Sequence, residues 1–167
     1  ATVAQATTID AFAKAVVFAV SDTAAAIAAS SNAALDEATS VTASDTATTA
    51  QADTISAFAT AVVYNVSGTA AQIVAATAAA RNEAVNITIT DTATIAQGTT
   101  AEDATNSGSV TVATITDTAA NIAASTNAVI TNSTGAVTAS NAATVAQATT
   151  IDAFAKAVVF AVSDTAA

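Results

Sequence analysis

The sequence predicts an α/β solenoid of about 23-residue strand-helix coils, with a parallel sheet on one side and Ala-rich helices on the other. Three observations predict it: a long segment that recurs unchanged, a shorter period marked by Asp-Thr-Ala, and β-branched runs that alternate with Ala-rich stretches. Residues 1–25, ATVAQATTIDAFAKAVVFAVSDTAA, recur as residues 143–167, an offset of 142. The chain is therefore read as one continuous segment, 1–167, made of a six-coil block, 1–142, and the start of the next identical block, 143–167.

Asp-Thr-Ala occurs at Asp22, Asp45, Asp91, Asp117 and Asp164, with Gly68-Thr69-Ala70 and Asn141-Ala142-Ala143 in the two gaps. Successive spacings are 23, 23, 23, 26, 24 and 23. The units are of two kinds in alternation. One reads DTAAAIAASSNAA from Asp22, GTAAQIVAATAAA from Gly68 and DTAANIAASTNAV from Asp117. The other reads DTATTAQADTISAFA from Asp45, DTATIAQGTTAEDA from Asp91 and NAATVAQATTIDAFA from Asn141.

Each element follows from local chemistry. VVFAVS before Asp22, VVYNVS before Gly68, VNITIT before Asp91 and VTVATIT before Asp117 are β-branched runs suited to strands. The Ala-rich stretch after each, such as Thr23 to Glu37, suits a helix. Asp at the junction can accept from the first free amides of that helix. Asn106-Ser107-Gly108 supplies a turn in the longest unit. Thr99-Thr100 and Thr149-Thr150 predict short or broken helices in the second kind of unit, and they keep an all-β solenoid open as the alternative. Ile27, Ile73, Ile95, Ile122 and Val145 are expected to plug the space between sheet and helices, and Phe12, Phe18, Phe58, Tyr64, Phe154 and Phe160 to pack in the core. Short joins between parallel strands predict right-handed crossovers, and a strand spacing of about 4.8 Å advances six coils by about 29 Å.

Composition excludes several functions. Hydrophobic residues are 53% of the chain but aromatic residues only 4%, so close backbone packing has to replace large side chains. With no Cys and no His, disulfides, thiolate zinc sites and histidine acid–base chemistry are unavailable. Three basic residues, Lys14, Arg81 and Lys156, stand against 13 acidic ones for a net charge of −10, which leaves no surface for nucleic acid or anionic lipid. Thr, Asn and Ser interrupt the charge-free stretch between Asp117 and Asp152, so no membrane insertion is expected. No basic n-region opens the chain, so no signal peptide is expected within it.

The Asp series (Asp22, Asp45, Asp91, Asp117 and Asp164) is the leading candidate site. It is read as helix N-caps, with calcium binding as the alternative, since Ca²⁺ takes six to eight oxygens. Gly and Asn substitute in the series, which suits a cap better than a ligand. Asp36-Glu37 and Glu102-Asp103 read as solvated faces, and Thr88-Ile89-Thr90 and Thr114-Ile115-Thr116 as strand formers, with a flat ice-binding array as the alternative. No catalytic constellation or phosphate-cradling loop is visible, so neither an enzyme nor a cofactor-binding protein is expected.

The units VSDTAAAIAAS, ITDTAANIAAST and NVSGTAAQIVAA resemble the tandem V-x-D-T-A-x-x-I-A repeats of very large bacterial secreted and surface proteins, adhesin-like or filament-forming. That resemblance implies an extracellular or cell-surface location and a structural role as a rigid stalk or filament. Open ends of a solenoid predict head-to-tail self-association. The alternatives are a surface binding module for glycan, receptor or ice, and a calcium-stabilised secreted repeat.

Overall fold

A computed structural model describes residues 1–12, 15–31 and 33–163. Helix precedes strand in every repeat. Repeat 1 holds α1 (Val3–Asp10) and β1 (Phe18–Asp22); repeat 2 holds α2 (Ala24–Ala28), α3 (Ala33–Asp36) and β2 (Ala38–Thr48). Repeat 3 holds α4 (Thr49–Ile55) and β3 (Val62–Gly68); repeat 4 holds α5 (Ala70–Ala75), α6 (Ala78–Glu83) and β4 (Ile87–Ala93). Repeat 5 holds α7 (Ile95–Glu102) and β5 (Val110–Asp117); repeat 6 holds α8 (Ala119–Ala123), α9 (Asn127–Thr131) and β6 (Val137–Ala139). Repeat 7 holds α10 (Val145–Asp152) and β7 (Val158–Val159). The strands lie in one parallel sheet in chain order, β1 to β7. This is an α/β fold, and the helices in every repeat rule out the all-β alternative.

The residues gather into two compact parts. The first comprises Ala1–Gly68, Ala75–Ile87 and Ala104–Ser109. Its inward sheet face carries Val20, Val41 and Val62 in register, all buried. Ile27, Leu35 and Ile55 from α2, α3 and α4 are buried with them. The second part comprises Thr69–Val74, Thr88–Asp103 and the chain from Val110 onward. There Ile115, Val137 and Val158 align, and Ile122, Ile130 and Ile151 are buried on the helical side. A β-branched row pairs well across strands spaced about 4.8 Å apart. Alanine lets short helices approach at the same small rise.

The helices reverse one expectation. The odd-numbered repeats, three of them with a Thr pair inside the helix, form single helices of 7 or 8 residues. The Ala-rich even repeats break into two short helices each, so Thr23 to Glu37 is not one helix. Threonine is tolerated because its hydroxyl bonds back one turn: Thr100 donates to the Ala96 carbonyl at 3.0 Å, and Thr149 to that of Val145 at 3.0 Å. Repeats 4 and 6 break because a second N-cap follows the first helix: Thr77 accepts from the Ala80 amide and Thr126 from that of Val129.

Two packing expectations are corrected. Ile27, Ile73 and Ile122 are fully buried, and Ile95 nearly so, but Val145 is 56% exposed. Ile95 and Val145 are first helical residues, whereas Ile27, Ile73 and Ile122 lie a turn further in, so Ile55 and Ile151 do the plugging in their repeats. Among the aromatics only Tyr64 is core; Phe18, Phe58, Phe154 and Phe160 are half-buried and Phe12 is 59% exposed. Tyr64 lies in β3, which has a strand on either side, whereas Phe18 begins the edge strand β1 and Phe160 follows the edge strand β7.

Candidate functional site

The junction between strand and helix is where the two kinds of repeat meet. In each helix whose N-cap geometry is described, the N-cap is threonine: Thr2, Thr23, Thr48, Thr77, Thr94, Thr118, Thr126 and Thr144. In the single-helix repeats a glutamine three residues on closes a capping box, as Gln97 does by accepting from the Thr94 amide at 2.9 Å. Asp22, Asp45, Asp91 and Asp117 are therefore not the N-caps of the helices that follow them.

Each of these four acts on the preceding repeat instead. Asp22 accepts from the first helical amide of repeat 1, Val3, at 3.0 Å, and Asp45 from Ala24 at 2.6 Å. Asp91 accepts from Ala70 at 2.7 Å, and Asp117 from Ile95 at 2.9 Å. Asn141 does the same for Ala119 through its side-chain oxygen at 2.8 Å. Asp164 lies outside the described residues. The side chain thus ties the N-terminus of one repeat's helix to the strand end of the next, where a carboxylate also complements the partial positive charge of the helix end. Gly68 breaks the series, because it offers no side-chain oxygen toward Thr49.

Asp117 is the most fully engaged. One oxygen takes the Ile95 amide, and the other takes the Thr118 amide at 2.7 Å and the Asn121 side-chain amide at 2.7 Å. Burial pushes its pKa up, but the hydrogen bonds from Asn121, Ile95 and Thr118 outweigh that and hold it below the ordinary 3.8. In Asp22 one oxygen accepts from Thr23 at 2.9 Å and the other from Val3. Oxygens occupied by amides are poorly placed for a cation, and among the described residues no three acidic side chains come together to hold one.

The other candidates disperse. Asp36, Glu37 and Asp103 are exposed and Glu102 is half-buried. Asp36 accepts from the Thr60 hydroxyl at 3.0 Å, and Glu102 from the Asn132 amide. On the outer sheet face Ser21, Thr42 and Val63 align in the first part, and Thr116, Thr138 and Val159 in the second. Neither row repeats one residue type, and the Thr92 and Thr114 hydroxyls bond each other at 2.7 Å.

A second polar series escaped the sequence reading. Asn86 donates from its side chain to the Asn65 side-chain oxygen at 2.9 Å, and its own side-chain oxygen accepts from the Ser109 amide at 2.8 Å. The signal was present as Asn inside two β-branched runs, where Asn is a poor strand former. Tyr64 donates its hydroxyl to the Ala80 carbonyl at 2.9 Å. Burial, then the charges of Glu83 and Asp53, push that phenol well above its usual value of 10.0.

These features define a class, an α/β repeat protein whose neighbouring repeats are joined by an apolar row beneath the sheet and polar series at its ends. No protein-family model, curated protein or solved structure matches the chain. Among the described residues, no helix is long and apolar enough to cross a membrane.

Proposed function

We propose that the chain is a structural extracellular repeat protein, an α/β solenoid that forms a rigid stalk or filament by stacking repeats. The observation that carries this reading is that the bonds between repeats join nearest neighbours. The strands pair in chain order, and Asp22, Asp45, Asp91, Asp117 and Asn141 each reach back by one repeat. Such a protein gains length by adding repeats, and its stability sums over adjacent interfaces. The resemblance to bacterial surface repeats supports the location, and strands that pair repeat to repeat in chain order support head-to-tail self-association. The reading includes no catalytic activity, no nucleic-acid partner and no resident cofactor.

Negative-stain or cryo-electron microscopy tests it. Rods or fibres with an axial period of about 29 Å per six repeats are the expected result; compact particles that never elongate would refute it. Occupied carboxylates also predict that Ca²⁺ and a chelator leave the melting temperature unchanged. A strong upward shift with Ca²⁺ would favour the calcium-stabilised alternative. The binding-module alternative needs outward residues that recur in type, and the mixed rows Ser21–Thr42–Val63 and Thr116–Thr138–Val159 weigh against it.

A further inference from the structure

Three asparagines open the triplet Asn-x-Ser/Thr: Asn65-Val66-Ser67, Asn86-Ile87-Thr88 and Asn132-Ser133-Thr134. That triplet is the acceptor pattern for N-linked sugars, in which the amide nitrogen reacts and the hydroxyl two residues on is recognised. In a chain this rich in Thr and Ser the triplet alone discriminates little. The state of each amide nitrogen in the folded chain discriminates sharply.

Asn65 lies in β3, where Tyr64 and Val66 are buried and Val63, Asn65 and Ser67 alternate with them on the outer face. Asn65 is exposed and Ser67 half-buried. The Asn65 side-chain oxygen accepts twice from the next repeat, from the Asn86 backbone amide at 3.2 Å and from the Asn86 side chain at 2.9 Å. A backbone amide can only donate, so the atom it meets is the oxygen, and the nitrogen is the atom turned to solvent. Among the described residues that nitrogen has no acceptor, and the Ser67 hydroxyl is likewise uncommitted. The stack thus uses only the oxygen of Asn65, and an aspartate would serve it equally, as Asp53 does in accepting from the Thr77 amide at 2.8 Å. The other two triplets are committed. Asn86 is half-buried, spends its nitrogen on Asn65, and accepts on its oxygen from the Ser109 amide at 2.8 Å and hydroxyl at 3.0 Å. Asn132 is half-buried, donates to Glu102, and is followed by the buried Ser133. Asn82, Asn127 and Asn141 also accept through their oxygens, but none has a hydroxyl two residues on.

We propose that Asn65 is a glycan attachment site, the one triplet at which a free amide nitrogen and an uncommitted hydroxyl share an outward face. The donor is a sugar carried through its anomeric carbon on a diphosphate. Nitrogen Nδ2 bonds to the anomeric carbon, and the bond from that carbon to the diphosphate oxygen breaks. The diphosphate leaves with the electron pair, and one amide proton passes to a base of the transferase. The product keeps the Asn65 oxygen, so both bonds from Asn86 survive and the stack loses nothing. A sugar on the outer face also stands clear of α4 and α6, which pack on β3 from the buried side. Its neighbour across the strands is small: Thr46 pairs with Asn65 and is itself exposed. The site rests on the extracellular part of the reading above and gives the outer sheet face a chemical role.

Peptide mass spectrometry with electron-transfer fragmentation, on the chain isolated from the cells that make it, tests this. Sugar is expected on Asn65, with occupancy at Asn86 and Asn132 lower by about 10-fold or more, because either nitrogen must first give up a hydrogen bond. Ser67→Ala should abolish the sugar and leave the melting temperature nearly unchanged, since that hydroxyl bonds to no described residue. Ser67→Thr should retain the sugar. Asn65→Asp keeps the oxygen that Asn86 meets but not the nitrogen, so it should fold and carry no sugar. A bare Asn65, equal occupancy at all three asparagines, or sugar that survives Ser67→Ala would overturn the site. Electron microscopy of the same material separates this from the stacking reading. Bare chains that form rods sink the site alone, and glycosylated chains that stay compact sink stacking alone.

Discussion

Position 68 shows what one side chain does between repeats. Asp22, Asp45, Asp91, Asp117 and Asn141 each accept from the first helical amide of the preceding repeat, and Gly68 has nothing with which to do so. No described glycine has a positive φ, so the backbone at 68 is open to an L side chain. Gly68→Asp should stabilise the protein by about 1 kcal/mol, by capping α4 and by restricting the unfolded chain; urea denaturation measures it. Asp117 sets a pH dependence with a definite sign. Its folded pKa is depressed, so its contribution is fully present above the unfolded value near 3.8 and fades as pH falls through the lower folded value. Asp117→Asn should flatten that acid limb in denaturation curves recorded against pH. Tyr64 acts at the other end of the scale. Its pKa is raised, so the contribution holds below the ordinary 10.0 and is lost as pH rises beyond it. Tyr64→Phe should cost about 1–2 kcal/mol at neutral pH by leaving the Ala80 carbonyl without its donor, and should remove the alkaline limb.

Among the elements, the single-helix repeats rest on their caps. Helices of 7 or 8 residues are marginal in isolation, so the Thr–Gln box, and in α1 and α7 the aspartate from the next repeat, satisfy amides that would otherwise face water. Thr94→Ala should therefore destabilise by about 1 kcal/mol, measured as a lower melting temperature. The same change at Thr111, which caps nothing, serves as the control. The turn before β5 is constrained differently. The Gly108 amide donates to the Val85 carbonyl at 2.8 Å, and a β-carbon at 108 would stand 2.6 Å from that same oxygen. Close approach of backbone to backbone is the reason for glycine here, and Gly108→Ala should cost about 1–3 kcal/mol in the same melts. The strands and the turn were legible from the β-branched runs and from Asn106-Ser107-Gly108. The division of the even helices was not, because an Ala-rich stretch reads as helix throughout. Only the second N-cap and the helix packed against it decide where it breaks.

For the whole molecule, the alternation of the two kinds of repeat is the organising rule. A single-helix repeat packs on the second helix of the repeat after it, as α1 on α3, α4 on α6 and α7 on α9. It also packs on the first helix of the repeat before it, as α4 on α2 and α10 on α8. Duplicating one odd–even pair of repeats preserves every such interface and should raise both the denaturant m-value and the melting temperature. Duplicating one repeat alone sets like against like and should lower the melting temperature despite the added length. Failure of that contrast between the two duplications would show that the two repeat types are interchangeable.

The amino-acid sequence by itself determined the period, the block of 142 residues, the order of strand-forming and helix-forming stretches and the two repeat types. All of these are local or self-similar properties, and propensity and repetition act along the chain. The tertiary structure alone decided which repeat each aspartate serves, because the acceptor and its amide are 19 to 22 residues apart and meet only once the strands align. It likewise decided that Tyr64 is core while Phe18 and Phe160, at the equivalent positions of repeats 1 and 7, are half-buried. Equivalent positions differ in burial according to whether a neighbouring repeat lies on one side or both, and that is a property of the stack rather than of the residue.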